Sequence, residues 1–336
     1  MSLYLSKGTI ELQSAPSIKS FAAAVGKKEG EGPLKNSFDY IADDITLGGK
    51  SFEKSEGLLQ QNALRLALKK GELSESDISF SFAGDLLNQC TGSSYGLREF
   101  SFPYIGIYGA CSNMAETLAL AALFIDNGIG TNAVAITSSH FCAAERQYRF
   151  PLNYGGVRTA TSQWTVTGAG CAIVAAHDKP PYVKSLTFGS ITDMGVKDAN
   201  NMGAAMAGAA YETISAHLAN TGQSIDSFDY IITGDLGEVG SKLLYDLFNR
   251  DNIPIKEKHK DCGTMIYDLN QQNVNSGGSG CGCSASVLCG YILQELAQGK
   301  MKNVLFTATG ALLSPTMTHQ GETIPCIAHA VQLTDN

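Results

Sequence analysis

Basic residues are in short supply in this 336-residue chain: 24 Lys and Arg stand against 32 Asp and Glu, a formal net charge of −8. Nucleic-acid surfaces need clustered positive charge to neutralise phosphates, so that partner class is excluded. Long apolar runs are lacking too. No stretch reaches the roughly 18 apolar residues of a membrane span, and the opening MSLYLSKGTIELQ has no charged leader or apolar signal core. The nine cysteines are odd in number and scattered, so they read as small apolar filler in a reducing compartment rather than as a disulfide frame. Cys281, Cys283 and Cys289 lack C-x2-C spacing and a well-placed histidine, which argues against zinc. The glycine-rich run from Ser276 to Ser284 lacks the Gly-Lys-Ser/Thr ending of a phosphate loop. With 44% hydrophobic and 17% charged residues, the expectation is a soluble α/β protein with a large core.

What the chain does have is an echo. Segments 71–86 and 221–236 each follow an amphipathic helical stretch and run through a strand into Gly-Asp-Leu. Gly109-Ala-Cys-Ser opens an apolar helix that stops at Gly128 before a strand, and Gly280-Cys-Gly-Cys-Ser opens another that stops at Gly299 before a strand. A duplicated unit of this kind buries both apolar faces by pairing its halves, which puts any cleft at their junction. Asp178-Lys-Pro-Pro marks the linker, so the expected halves are 1–180 and 181–336.

Periodicity predicts helices over 51–70, 112–125 and 202–220, one near 240–249, and a buried helix over 284–298. Strands are expected at 78–83, 104–108 (short and buried), 133–138, 165–176, 183–191, 230–233 and 304–309, with a closing strand at 324–333. The segment up to Asp44 reads as a short strand and an irregular lead-in. Residues 139–161 read as a long polar loop, a length more often functional than idle.

Cys111 is the sharpest chemical candidate. Between a strand and the first turn of an apolar helix, a thiol meets unpaired N–H groups and the positive end of the dipole, which lower its pKa. The competing reading is a small residue filling a tight turn. Asp85 and Asp235, one per copy, are equally suited to capping their own turns. Trp164 reads as core, His329 as a satisfied core histidine, and His140 as able to reach the cleft. Arg146 either serves the cleft or pairs with Glu145 or Asp198.

The duplicated halves, the strand–Cys111–helix, Thr167-Gly-Ala-Gly170 and Ala308-Thr-Gly-Ala311 resemble the thiolase and ketoacyl-synthase superfamily. More narrowly, the chain resembles the stage V sporulation protein AD family of spore-forming bacteria, over nearly its whole length. The motifs that carry this are Ala83-Gly-Asp-Leu-Leu-Asn-Gln89, Thr137-Ser-Ser-His140, Ala144-Glu-Arg-Gln147, Thr233-Gly-Asp-Leu236, Gly277-Gly-Ser-Gly-Cys-Gly-Cys-Ser284, Thr309-Gly-Ala-Leu-Leu-Ser-Pro-Thr316 and Ile324-Pro-Cys-Ile-Ala-His329. The resemblance implies a thiolase-like fold: duplicated α/β halves in five layers (αβαβα), related by a pseudo-two-fold. It also implies a protein of the spore or forespore that binds dipicolinic acid (pyridine-2,6-dicarboxylate). Such a protein would sit at the inner membrane, as a homodimer, with the stage V sporulation A membrane proteins that move the ligand inward.

Condensing enzymes of the superfamily add to their cysteine a histidine and a second His or Asn, which donate to the thioester oxygen. The corresponding strand end here reads Gly234-Asp235-Leu236, and the glycine-rich loop reads Gly-Ser-Gly-Cys. An ionised Asp235 accepts hydrogen bonds but donates none, so the expectation is a non-catalytic binder without a cofactor. The alternative is a ketoacyl-synthase-III-like condensing enzyme that uses Cys111. The expected ligand site comprises Cys111, Ser112, Asp85, His140, Arg146, Asp235, Ser279 and Cys281. The N–H groups of Ser112 and Asn113 would take one carboxylate and Arg146 or Arg149 the other. Ca2+ arriving with the ligand, or binding of the rim by protonation, would account for the two aspartates.

Overall fold

The structure, a computed structural model, describes residues 2–148 and 158–336. Arg149 and Tyr154 lie outside the described residues. Two five-stranded half-sheets form its frame. The first is ordered β3 (Ser17–Val25), β9 (Gly168–Ala175), β7 (Asn132–Ser139), β5 (Phe80–Gly84), β6 (Tyr104–Ile107). The second is ordered β10 (Tyr182–Phe188), β15 (Cys326–Thr334), β14 (Asn303–Ala311), β11 (Tyr230–Thr233), β12 (His259–Asp261). Directions match strand for strand: two antiparallel pairings, then two parallel ones, in each half. The echo in the sequence is therefore a repeated topology. The half-sheets touch through one residue pair, Tyr182 with Ser17. Minor strands complete the count: β1 (Leu3–Ser6), β2 (Thr9–Glu11), β4 (Tyr40–Ile41), β8 (Trp164–Thr165) and β13 (Gly278–Ser279), with β2 pairing across to β10.

Helices supply the remaining layers. Helix α1 (Phe52–Lys70) packs on β3, β9 and β7, while α5 (Met202–Thr221) packs on β15 and β14. Between the half-sheets run α3 (Asn113–Asp126) and a helix that begins as Cys281–Val287 and continues through a π turn at Leu288–Ile292 into Leu293–Ala297. The largest core cluster joins Met114, Leu118 and Ala121 with Leu288, Ile292, Phe306 and Val331, and so draws on both sheets. Apolar burial of this kind stabilises by about 25 cal/mol per Å2.

Several expectations are corrected. The N-terminal lead-in contains β3, a nine-residue strand at the seam, whose Ala22, Ala23 and Ala24 are fully buried. Helices lie on both faces, so small side chains replaced the alternation that a half-exposed strand shows. The strand at 104–108 is an edge, not buried: Tyr104 is 39% exposed and Tyr108 45%. Part of the supposed loop is a helix, α4 (Phe141–Tyr148).

Candidate functional site

The chain leaves β6 at Ile107 and makes one tight turn over Ala110–Ser112 before entering α3. Ala110 sits at φ +51°, a left-handed conformation that costs a non-glycine residue about 1–3 kcal/mol. Side chains around the turn hold it. Asn113 accepts from the Gly109 N–H through Oδ1 at 2.5 Å and donates from Nδ2 to the Asp85 carbonyl at 3.0 Å. Gly310 of β14 completes the support: a Cβ there would lie 2.1 Å from the Gly109 oxygen, so only glycine lets the C-terminal half come this close.

Cys111 is buried at the floor, close enough to the Asp235 carboxyl for its charge to act on the thiol. Asp235 is itself fully buried. Its Oδ2 accepts from the Gly280 N–H (2.8 Å) and Ser279 Oγ (3.3 Å), and its Oδ1 accepts from Thr309 Oγ1 (3.1 Å). Gly280, at φ +102°, makes the bend that aims its N–H there. Burial outweighs these hydrogen bonds and pushes the Asp235 pKa up to about 7. The Cys111 pKa also moves opposite to expectation: burial, then the charges of Asp235 and Cys281, hold it well above the usual thiol value. The helix dipole does not win here.

Above this floor lies a pocket between the halves, lined by Leu86, Ala110, Cys111, Ala144, Glu145, Tyr148, Thr165, Met202, Ser279, Ala311 and Leu313. Its volume is about 420 Å3, mouth included. None of these described lining residues is a histidine, lysine or arginine.

The predicted residues thus divide. Cys111, Asp235 and Ser279 come together, and Cys281 packs against Cys111 while its thiol donates to the Ser138 carbonyl at 2.9 Å. Ser112 is at the turn, but its N–H and hydroxyl both bond the Gly109 oxygen, and the Asn113 N–H bonds that of Ala110. The expected carboxylate cradle is therefore already filled, because the turn closes on itself. Asp85 does not line the pocket. It caps its own loop, accepting from Leu87 N (2.8 Å) and from Ser93 N and Oγ (2.7 Å each). His140 bonds the Ile45 carbonyl at 2.8 Å and stacks on Phe52, away from the lining. Arg146 points off the outer face of α4 to pair with Glu53, not Glu145 or Asp198. His329 is buried, takes the Gly189 N–H at 3.3 Å, and its pKa is lowered to about 4 by burial.

Residues that sequence reasoning missed include Thr309, Tyr148 and Glu145. The last two share the inward face of α4 with Ala144, a helical spacing overlooked when the segment read as loop. Arg158, read only as one polar loop residue, pairs with Glu145 at 3.6 Å. Trp164 is half-buried rather than core: it stacks on Phe141 at 4.0 Å under the Lys28 ammonium, beside a separate hollow.

A family model described as stage V sporulation protein AD matches residues 6–334. The chain belongs to the stage V sporulation protein AD family. It is 43% identical over 314 residues to the stage V sporulation protein AD of Bacillus subtilis (strain 168), covering 94% of this chain and 93% of that protein. A family role in spore formation follows from this membership. Among solved structures, the fold is similar to 3-oxoacyl-[acyl-carrier-protein] synthase III from Aquifex aeolicus VF5, with TM-score 0.57 and 14% identity over 95% of this chain and 99% of that one. It is also similar to cerulenin-bound OleA from Xanthomonas campestris, with TM-score 0.61 and 15% identity over 95% and 96%. At such identity these synthases establish the thiolase-like fold alone. Among the described residues, no helix is long and apolar enough to cross a membrane.

Proposed function

We propose that this member of the stage V sporulation protein AD family binds dipicolinic acid in the Cys111–Asp235 pocket without catalysing a reaction. In this reading it hands the ligand to, or takes it from, stage V sporulation A membrane proteins at the spore inner membrane. One observation carries the non-catalytic part: a fully buried carboxyl rather than a histidine or amide stands near the Cys111 thiol, and burial with that charge keeps the thiol protonated. A protonated thiol is a poor nucleophile. The neighbouring N–H groups of Ser112, Asn113 and Gly280 are committed and not aimed at a substrate oxygen.

An Asp235 that titrates near pH 7 suits an anionic ligand, because proton uptake on binding removes the like charge. The Ser279 hydroxyl, freed as Asp235 takes its proton, then offers a polar contact in a largely apolar slot whose Thr165 hydroxyl stays committed to Glu145. The outer edge of β6, which no further strand among the described residues covers, has Tyr95, Tyr104 and Tyr108 exposed and supports a homodimer joined along that strand.

The test is equilibrium binding of pyridine-2,6-dicarboxylate and of pyridine-2-carboxylate to the full chain and to Cys111→Ala, with and without calcium. The dicarboxylate should bind more tightly, and Cys111→Ala should keep its affinity within a few-fold. Calcium should change little, since the oxygens of Asp85 and Asp235 already accept protein hydrogen bonds. Acyl-thioester turnover that disappears in Cys111→Ala would restore the condensing-enzyme reading, which the fold alone favours.

A further inference from the structure

We propose that Tyr148 is the selector for a planar aromatic ligand in this pocket, and that Tyr108 is the positioning residue that holds its ring there. The inference rests on the dipicolinate reading and adds the feature that separates such a ligand from an open-chain dicarboxylate of equal charge.

Tyr148 is the one aromatic side chain among the described lining residues; the others that shape the slot are Leu, Ala, Met, Cys111, two hydroxyl residues and Glu145, whose carboxylate is paired with Arg158. Its ring packs against the small cluster of Leu86, Ala110, Cys111, Ala144 and Cys281 at the floor, and also against the core of the C-terminal half. It therefore stands where the two halves meet. A flat ring inserted beside it gains the offset or edge contact that aromatic pairs prefer, which an aliphatic chain does not provide.

The ring is also held in place. Its hydroxyl donates to the Leu86 carbonyl, and Tyr108 Oη lies 2.6 Å from it and 3.3 Å from the same carbonyl. Two phenols thus converge on one backbone oxygen, anchoring from outside a side chain with only two χ angles. Such an anchor spares the ligand the cost of ordering the ring, which is how rigid aromatic groups give selectivity cheaply. Tyr108 reaches the anchor from the chain just beyond the exposed edge strand, so the pocket's aromatic wall is set partly by a residue at the molecular surface.

The experiment measures Kd for pyridine-2,6-dicarboxylate and for glutarate, by calorimetry at fixed pH, on the full chain and on Tyr148→Leu, Tyr148→Phe and Tyr108→Phe. Tyr148→Leu should weaken the aromatic ligand about three- to tenfold while changing glutarate by less than about twofold. Tyr148→Phe and Tyr108→Phe keep the ring but loosen it; each should retain part of the preference and raise the dissociation rate constant, read by stopped-flow mixing. Thermal melting of each variant confirms folding, and Tyr148→Met, which fills the site without a ring, is judged by the same criteria if Tyr148→Leu unfolds. An unchanged ratio of the two affinities in Tyr148→Leu, or an equal loss for both ligands, overturns the selector. In the Phe variants, no change in ratio or rate overturns the anchor. Failure of the unmodified chain to bind the dicarboxylate at all is a different result, and removes the dipicolinate reading together with what rests on it.

Discussion

Asp235 holds a carboxyl group in a place where neither charge state is comfortable. Ionised, it lacks water; neutral, it cannot fully use the N–H and O–H donors turned towards it. Its folded pKa of about 7 lies above the unfolded value near 4, so its contribution to stability is complete below about pH 4 and is lost as pH rises to 7. Asp235→Asn should lack that loss. The stability difference between variant and parent, from urea denaturation at pH 5, 6 and 7.5, should shift in favour of the variant by up to about 1.4 kcal/mol per pH unit below 7. Other buried acids, Glu29 and Glu56, are displaced the same way by burial, but they cancel in the difference. A difference that stays flat with pH would refute the assignment. Ligand affinity should hold below pH 7 and fall above it, approaching tenfold per pH unit for one coupled proton. Cys111 adds a companion expectation: with its thiol pKa raised, native protein at pH 7.5 should resist iodoacetamide at this position, as peptide mass spectrometry would show.

Among the elements, two substitutions distinguish local stability from shape at the site. Ser51 caps α1 by accepting from the Lys54 N–H, so Ser51→Ala should cost about 1 kcal/mol in denaturant unfolding and leave ligand affinity alone. Gly310→Ala pushes a methyl into the Gly109 oxygen, displacing the Cys111 turn. It should cost about 1–3 kcal/mol and abolish binding. Elements with a one-sided apolar pattern were legible in the sequence: α1 begins one residue after its serine cap, and α5 and β11 fall within a residue of expectation. β3 was hidden because alanines packed on both faces carry no period. Arg146 and His140 were misplaced for a different reason. Reading α4 as loop erased the distinction between its outward arginine and its inward Glu145 and Tyr148. Cys111 and Asp235 were found because the repeat marked both. The pKa of Cys111 was not, since burial depth depends on the opposite half and leaves no mark in the flanking residues.

On the scale of the whole molecule, β6 is an edge that no further strand among the described residues covers, with three tyrosines nearby exposed, a state that native proteins seldom leave open. Sedimentation should report a dimer for the full chain, and Tyr104→Asp should shift it to monomer at micromolar concentration; a parent chain that runs as a monomer would contradict the edge pairing. The other boundary, the seam between half-sheets, behaves differently. One bridged residue pair, Tyr182 with Ser17, offers almost no ladder to resist sliding, so the spacing of the two plates is governed by the bulk of the helices laid between them. A methylene added or removed at Met114 or Leu288 would act as a shim, widening or narrowing the slot from behind without touching any residue that faces it.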